Sequence, residues 1–408
     1  MHKIAKNTVF LSVAQITGRF IGFFCFLLLA RFLGVATFGV YNFTIAFVYN
    51  FIPVADFGLE RFILRDISRK PEKTPFYLAR LLPLRLFLSL GAYLLVLLLA
   101  LILNQSLRQI GYLAVFGLFI FPYSFTSLLT SFLNAQEKMK YMAMAVVFGQ
   151  LAVFMIGITF VLLKFPLALI FLAGFLASLV VALVFLLKAK AWGLSLGWVI
   201  DRKFFLKALS QSWAFAFLLI LSVFYLRLSL LMVGFLKGDY LTGLYGSAFK
   251  FIEAMVLIPQ SLALALFPLS SRLLLEDKKR LLKVYQKGLG ILFLFSLPFA
   301  LVLGFFPNLI ISVAYGVDYL AATPVMALLG VSSILFFLNS LPGNIIQNSP
   351  KFKKFLPWAV LNFSLALFFC LLLIPKYGIV GAAWAVIGGE LVGIFINNLF
   401  VWKILRNK

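Results

Sequence analysis

Residues 167–187 read LALIFLAGFLASLVVALVFLL, a run that contains no charged side chain. As an α-helix with a rise of 1.5 Å per residue, this run is about 31 Å long, which matches the ~30 Å hydrocarbon core of a bilayer. Similar runs recur along the 408 residues, which are 64% hydrophobic with a mean hydropathy of +1.10. Soluble domains are only about 45–50% apolar. The sequence therefore predicts an all-α polytopic membrane protein.

The apolar runs predict about twelve membrane-spanning helices. None of the runs alternates apolar and polar residues in the way that the strands of a transmembrane β-barrel do. The predicted helices cover residues 8–32, 37–58, 81–103, 110–133, 142–163, 167–187, 212–234, 241–268, 287–306, 322–346, 356–375 and 378–402.

The basic residues are distributed unequally between the two sides of the predicted membrane. The net charge is +24, which in a soluble protein would suggest a polyanionic partner. If the N-terminus is cytoplasmic, however, the inner segments hold 27 of the 36 Lys and Arg residues and the outer segments hold five. The positive-inside rule then places both termini in the cytoplasm and favours an even number of helices. The positive charge indicates membrane orientation rather than nucleic-acid binding.

The two halves of the chain resemble each other at an offset of 204 residues. The sequence FGVY at 38–41 opens the second predicted helix, and TGLY at 242–245 opens the eighth. The same offset relates Asn42, Tyr49, Pro53 and Asp56 to Gly246, Glu253, Leu257 and Gln260. Six helices per half give both halves the same orientation, as in transporters built from parallel repeats. We therefore predict two pseudo-symmetric six-helix bundles, residues 1–204 and 205–408, around a central cavity.

Four basic residues fall inside predicted spans, where each Arg or Lys costs ~2.5–3.5 kcal/mol at the bilayer centre. Arg19 shares a helix face with Ser12 and Gln15, so it either faces a ligand in a hydrated cavity or bonds to a neighbouring helix. Lys250 precedes Glu253 by three residues, which permits a local ion pair. Such a pair is either purely structural or opens when a ligand arrives.

The other charges inside spans also admit two interpretations. Arg227 points away from the helix face of Ser229, and either face could look into the cavity. Arg85 is close enough to the cytoplasmic end of its helix that we expect its side chain to snorkel to the surface. Glu390 is either a proton or ion site or a helix-packing hydrogen-bond acceptor.

At the inner end of the second helix, Asp56, Arg61 and Arg65 form either a solvated loop edge or a cytoplasmic gate and anion-collecting rim. Motifs for other chemistry are missing from the sequence. It has no zinc-ligand spacing, phosphate-binding loop or nucleophile elbow, and Cys25 and Cys370 both lie in apolar runs. We therefore expect no catalytic residue, no metal and no cofactor, and no ATP-driven pump.

A series of short motifs resembles a known family in its order and spacing. The motifs are NTVFLS at 7–12, LARFLG at 29–34, FGVY at 38–41, ADFGL at 55–59, QEKM at 136–139, YLR at 225–227, GLY at 243–245 and FP at 267–268. They resemble the polysaccharide-biosynthesis flippases, the Wzx-type members of the multidrug/oligosaccharidyl-lipid/polysaccharide exporter superfamily. The resemblance extends over nearly the whole chain and is strongest in the first seventy residues.

This resemblance implies a transporter rather than an enzyme. It implies that a polyprenyl-pyrophosphate-linked oligosaccharide, such as an O-antigen or exopolysaccharide repeat unit, moves from the cytoplasmic to the outer leaflet of the bacterial inner membrane by alternating access. Buried Arg and Lys would pair the pyrophosphate, so we expect Arg19, Arg227, Lys250 and Glu253 to line the substrate site. The expected partners are membrane lipids and the glycan polymerase and glycosyltransferases of the same pathway, with no nucleic acid. Many relatives carry an acid where this chain has Ser229, which puts cation coupling through that helix in doubt.

Several alternatives remain open. A cation-coupled multidrug antiporter of the same superfamily would place buried acids toward its substrate, whereas this chain has more cations than acids inside its spans. A lipid-II-type flippase would have a similar basic cavity but two more helices. A membrane glycan polymerase or ligase would present a large outer loop with catalytic groups, and the outer loops here are short.

Overall fold

A computed structural model describes residues 2–67, 70–136, 138–349 and 352–406. These residues form helices, three short 3-10 turns and loops, and no strand occurs among them. The helices are α1 (His2–Leu33), α2 (Val35–Tyr49), α3 (Ile52–Asp56), α4 (Leu59–Ile67), α5 (Thr74–Ile102), α6 (Leu107–Gly117), α7 (Ile120–Ala135), α8 (Met139–Leu162), α9 (Leu167–Lys188), α10 (Arg202–Lys237), α11 (Asp239–Met255), α12 (Leu257–Glu276), α13 (Lys278–Phe305), α14 (Pro307–Ala314), α15 (Thr323–Asn348) and α16 (Leu356–Arg406).

The hydropathy of these helices confirms the all-α membrane fold. Within the described ranges, nine stretches are long and apolar enough to cross a bilayer. They are Val35–Ile67, Pro71–Ile102, Leu107–Ala135, Leu167–Lys188, Arg202–Lys237, Asp239–Ala263, Lys278–Phe305, Val317–Gln347 and Phe352–Arg406. The predicted spans 8–32 and 142–163 correspond to α1 and α8. The last stretch contains both the eleventh and the twelfth predicted spans, and non-helical backbone angles at Gly378 (φ 58°, ψ −133°) mark a kink between them.

The second predicted span is interrupted twice, where the sequence predicted one helix over 37–58. Pro53 has no N–H to donate to the carbonyl of Tyr49, where α2 ends, and it lies in the first turn of α3, where a missing N–H is tolerated. A second break separates α3 from α4, where Phe57 (φ 48°) and Gly58 (φ 71°) both adopt left-handed angles. The Asp56 carboxylate accepts a hydrogen bond from the Gly58 N–H at 3.0 Å and so stabilises this turn.

The eighth predicted span has a break at the corresponding place. Helix α11 ends at Met255 and α12 begins at Leu257, three residues after the position that the offset of 204 assigns to Asn50. Pro259 follows in the first turn of α12. The repeat predicted from the sequence is therefore accompanied by a similar interruption of the second helix in each half.

The described chain forms two compact units, each with an apolar core. Unit 1 consists of Met1–Leu33 and Thr44–Val223, and its core lies between α4, the start of α5 and α7. Unit 2 consists of Gly34–Phe43 and Phe224–Lys408, and its core lies between α12, α13, α15 and the end of α16. These boundaries differ from the predicted halves, because α10 runs unbroken through residues 204 and 205. Two bundles divided at 204 and 205 stay a prediction.

Candidate functional site

Three charged side chains meet in unit 2, where Arg227 of α10 and Lys250 of α11 both approach Glu253. Lys250 Nζ lies 2.9 Å from Glu253 Oε2, and Arg227 Nε lies 3.6 Å from Glu253 Oε1. The side chains are 27%, 20% and 19% exposed for Lys250, Arg227 and Glu253. Two cations thus share one carboxylate, which leaves a formal charge of +1 on this group, the Glu253 cluster.

The spacing of residues on α11 and a hydrogen bond between two hydroxyl groups position the side chains of the Glu253 cluster. Lys250 and Glu253 are three residues apart on α11 and lie on the same face of the helix. The Tyr245 hydroxyl donates to Ser229 Oγ at 2.7 Å, which fixes α11 against α10 two residues from Arg227. The local ion pair predicted for Lys250 and Glu253 is present. The sequence did not reveal that Arg227 joins it.

Glycines at repeat-related positions bring α2 and α11 together within unit 2. A Cβ atom on Gly39 would collide with the carbonyl oxygen of Asp239, and one on Gly243 would collide with that of Val35. Only glycine permits such an approach of two helix backbones. The side-chain amide of Asn42 also lies against Gly246, where a Cβ atom would collide with it. The FGVY and TGLY motifs of the sequence are therefore a helix-crossing site that positions α11.

Unit 1 contains a second pair of charges, Asp56 of α3 and Arg85 of α5, which form an ion pair. Their side chains are only 10% and 3% exposed. Arg85 Nη2 also donates to Ser127 Oγ at 3.3 Å, and the other oxygen of Asp56 accepts from the Gly58 N–H. The prediction that Arg85 snorkels to the surface is wrong, because its side chain is buried and pairs with Asp56 on another helix. The pair is electrically neutral and buried.

The remaining predicted site residues are Arg19, Arg61 and Arg65, all in unit 1. Arg61 and Arg65 of α4 are exposed, whereas Asp56 of α3 is buried, and a common rim formed by the three stays a prediction. Arg65 pairs with Asp66 at 2.7 Å and also donates to Gln211. Arg19 is exposed on α1. The side chains of Ser12 and Gln15, its predicted neighbours on the helix face, lie outside the described part of the structure.

Glu390 is buried in a polar group that the sequence did not predict. Asn339 Nδ2 donates to Glu390 Oε2 at 2.8 Å, and Asn397 Nδ2 donates to Asn339 Oδ1 at 2.6 Å. The Tyr225 hydroxyl also hydrogen-bonds to Glu390 beside a cavity of about 20 Å³. These contacts match the helix-packing interpretation of Glu390. In the ranges that the structure describes, no three His, Cys, Asp or Glu residues are grouped closely enough to hold a metal ion.

Sequence comparison relates the chain to one family and one curated relative. The profile of the family described as polysaccharide biosynthesis protein matches residues 4–274. An uncharacterized membrane protein of Methanocaldococcus jannaschii is 27% identical over 264 residues, which cover 60% of this chain. The match spans about half (52%) of the length of that relative.

Several solved structures have a similar fold. The lipid II flippase MurJ in an inward closed conformation aligns with a TM-score of 0.75 and 16% identity, over 97% of this chain and 89% of MurJ. An inward-facing multidrug resistance MATE family transporter of the MOP superfamily aligns with a TM-score of 0.75 and 14% identity, over 98% of both chains. A MOP superfamily transporter from Pyrococcus furiosus, whose binding pocket is described as having reversed polarity, aligns at 0.65 with 14% identity, over 99% of this chain and 97% of its own.

Proposed function

Because the chain belongs to the polysaccharide biosynthesis protein family, we propose that it moves a polyprenyl-pyrophosphate-linked oligosaccharide from the cytoplasmic to the outer leaflet of the membrane by alternating access. The substrate would be a repeat unit of O-antigen or another exopolysaccharide, and no bond would be made or broken. The fold shared with the lipid II flippase MurJ, whose name gives it a lipid-linked substrate, supports this class of substrate.

The observation that carries the proposal is the excess of cations over acids in the Glu253 cluster. Without substrate, Glu253 neutralises part of the charge of Arg227 and Lys250, which lowers the cost of holding two cations within membrane-spanning helices. A pyrophosphate offers more negative charge and more acceptor oxygens than one carboxylate. It would take over both cations through charge-assisted hydrogen bonds and displace Glu253.

The other predicted residues have separate roles in this proposal. Arg19, exposed on α1, would contact the substrate from a second helix. Arg61 and Arg65 would collect the anionic head group at the cytoplasmic rim. Asp56 would act on the gate only indirectly, because it is paired with Arg85 and holds the turn between α3 and α4 in place.

The chain is a multi-pass membrane protein, and we extend the proposal to its orientation and partners. Both termini would lie in the cytoplasm, and residues 1–204 and 205–408 would form two bundles that alternate access to a central cavity. The host would be a bacterium and the membrane its inner membrane. Glycosyltransferases of the same pathway would supply the lipid-linked glycan, and a polymerase would consume it on the other side.

Complementation of an export-deficient strain tests this function. We expect Arg19→Ala and Lys250→Ala each to abolish surface glycan while the protein remains inserted in the membrane at normal abundance. The control Lys376→Ala removes one exposed cation elsewhere and should complement normally. Normal surface glycan with both Arg19→Ala and Lys250→Ala would show that the cationic mechanism is wrong.

A cation-coupled multidrug antiporter is the second candidate, and the buried carboxylate of Glu390 favours it. Glu390 hydrogen-bonds to Tyr225, which lies two residues from Arg227 on α10. Protonation of Glu390 would therefore change the position of α10 or the electrostatic potential at the Glu253 cluster. An antiporter would confer drug resistance that a Glu390→Gln variant loses. A flippase would confer no drug resistance, and it would export glycan in the absence of any drug.

A further inference from the structure

A pocket of about 400 Å³ lies at the end of unit 1 where α4 meets the beginnings of α5 and α10. Its walls are the aromatic rings of Phe62, Phe76, Tyr77 and Phe204, and we call it the aromatic pocket. Ligand pockets in proteins have volumes of ~300–1,000 Å³, so this one is large enough for a small molecule or a lipid head group. The proposed substrate mechanism does not involve it.

The aromatic rings hold one another in fixed positions. Tyr77 and Phe204 meet nearly edge to face, with centroids 5.5 Å apart and planes at 80°, and Phe76 meets Phe204 at 5.9 Å and 82°. Phe62 closes the group at 5.8 Å from Tyr77. The Tyr77 hydroxyl donates to Asp66 Oδ2 at 3.0 Å. Such mutual packing keeps the walls rigid, so the pocket is already formed before a ligand binds.

Two exposed lysines and one acid form the rim of the pocket. They are Lys73 and Glu72, in the turn before α5, and Lys207 on α10. Among the residues that the structure describes, neither lysine forms an ion pair with a carboxylate. The rim therefore presents a net charge of +1 above an aromatic floor. This combination attracts a group that is anionic at one end and apolar at the other.

The nearby Arg80 and Asp201 are occupied with each other. Arg80 lies 3.7 Å from the centroid of the Phe76 ring, and its Nε is 3.1 Å from Asp201 Oδ2. Asp201 also accepts a hydrogen bond from the Phe204 N–H at 3.0 Å, and these two contacts hold the pKa of its carboxyl below the usual value. Asp201 therefore stays ionised and retains Arg80. The lysines are the cations left to bind a ligand.

Exposed apolar side chains lie close, along the chain, to residues that line the pocket or that follow them in α5. The Val199 N–H donates to the carbonyl of Ala79 at 2.9 Å, which places the segment around it along the start of α5. Trp198 and Ile200 of this segment are 56% and 63% exposed, and Leu206 of α10 is 59% exposed. Tryptophan and lysine together are typical of the level of lipid head groups in a membrane protein. The composition of this part of unit 1 is thus typical of the membrane surface.

We propose that the aromatic pocket binds the head group of an anionic phospholipid. Lys73 and Lys207 pair its phosphate, the aromatic rings cover the glycerol backbone, and the acyl chains continue over Ile200 and Leu206. One negative charge on the lipid neutralises the net charge of the rim, which a zwitterionic lipid does not. Basic pockets at the cytoplasmic ends of membrane helices commonly recognise anionic lipids in this way.

Native mass spectrometry of the purified full chain tests the proposal. The chain is titrated with phosphatidylglycerol or with phosphatidylcholine, and the bound lipid is counted. The variant Lys73→Gln/Lys207→Gln is compared with Lys190→Gln/Lys203→Gln, which removes the same charge from exposed positions that do not line the pocket. Because each lysine near the membrane surface contributes a factor of roughly five, we expect about 30-fold weaker phosphatidylglycerol binding in the pocket variant only.

Three results would overturn the proposal. Equal losses in the two double variants would mean that the lipid responds only to overall charge. Equal affinity for phosphatidylcholine would mean that charge plays no part. Displacement of phosphatidylglycerol by millimolar inorganic phosphate would mean that the pocket is a site for free anions rather than for a lipid.

Discussion

The two ion-pair clusters of this protein use the same kinds of residue in different surroundings. In unit 1, Arg85 and Asp56 are 3% and 10% exposed and balance each other. In unit 2, Arg227 and Lys250 share Glu253, all three are 19–27% exposed, and their formal charges sum to +1. A ligand cannot reach a buried, neutral pair, whereas a partly exposed group with a net positive charge can bind an anion. Burial and charge balance, rather than residue type, therefore separate the structural cluster from the candidate binding site.

The two clusters also differ in what depends on them. The Asp56–Arg85 pair is tied to the backbone, because Asp56 also stabilises the left-handed turn at Phe57 and Gly58. The Glu253 cluster does not hold a backbone turn in this way. Its helices are instead positioned by the close approach at Gly243 and by the hydrogen bond between Tyr245 and Ser229. Loss of the first pair should thus damage the fold, and loss of the second should damage binding alone.

The largest expected effect on stability is that of Arg85→Ala, which leaves the carboxylate of Asp56 buried without its partner. Such a change typically costs about 3–5 kcal/mol. The double variant Asp56→Asn/Arg85→Met removes both charges and keeps an acceptor for the Gly58 N–H, so it should recover most of this loss. The free energy of unfolding in mixed micelles measures both. If Arg85→Ala is as stable as the unmodified chain, Asp56 and Arg85 are not a structural pair.

A smaller effect is expected at the crossing that positions the Glu253 cluster. Gly243→Ala would place a Cβ against the carbonyl of Val35, and overpacking of this kind costs about 1–3 kcal/mol. Gly290→Ala, on α13 with no neighbouring atom within 4 Å, should instead stabilise the protein by roughly 0.5–1 kcal/mol. Thermal unfolding of the two variants should therefore shift in opposite directions. Shifts of the same sign would contradict the close approach of α2 and α11.

The smallest effect is expected at an exposed pair, Arg272 and Glu276, whose atoms are 3.6 Å apart and whose side chains are 61% and 63% exposed. Exposed ion pairs one helical turn apart contribute only about 0.3–0.5 kcal/mol. Glu276→Gln should therefore leave the melting temperature within about a degree or two of that of the unmodified chain. A loss comparable to that of Arg85→Ala would mean that burial does not decide the strength of these pairs.

Hydropathy was sufficient to predict most of the fold. A bilayer requires about twenty apolar residues for each span, so the position of α9 and of the apolar parts of α5 and α13 follows from composition alone. The interruptions of the second span were missed because a break in a helix barely changes the mean hydropathy of the residues around it. Helix α10 begins at Arg202, ten residues before the predicted span. This start was missed because the first turns of α10 are polar and a search for apolar runs does not detect them.

The candidate site could be predicted only where its contacts are local. Lys250 and Glu253 are three residues apart, and helix geometry alone brings them together. The approach of Arg227 to Glu253 and of Arg85 to Asp56 depends on how different helices pack, which no spacing in the sequence reveals. The sequence therefore grouped Asp56 with Arg61 and Arg65 and did not reveal its buried partner, Arg85.

Binding of polyprenyl pyrophosphate to the purified chain in nanodiscs tests the central claim most directly. Two charge-assisted hydrogen bonds at ~1.5–3 kcal/mol each predict that Arg227→Gln/Lys250→Gln raises the dissociation constant at least about 100-fold. Adding Glu253→Gln removes the carboxylate that these two substitutions leave without a cation, so the melting temperature of the triple variant should stay close to that of the unmodified chain. The control Arg272→Gln/Lys376→Gln, which loses the same charge at exposed positions, should bind normally. A dissociation constant for the cluster variant within threefold of the unmodified value would contradict the assignment of the Glu253 cluster as the anion site.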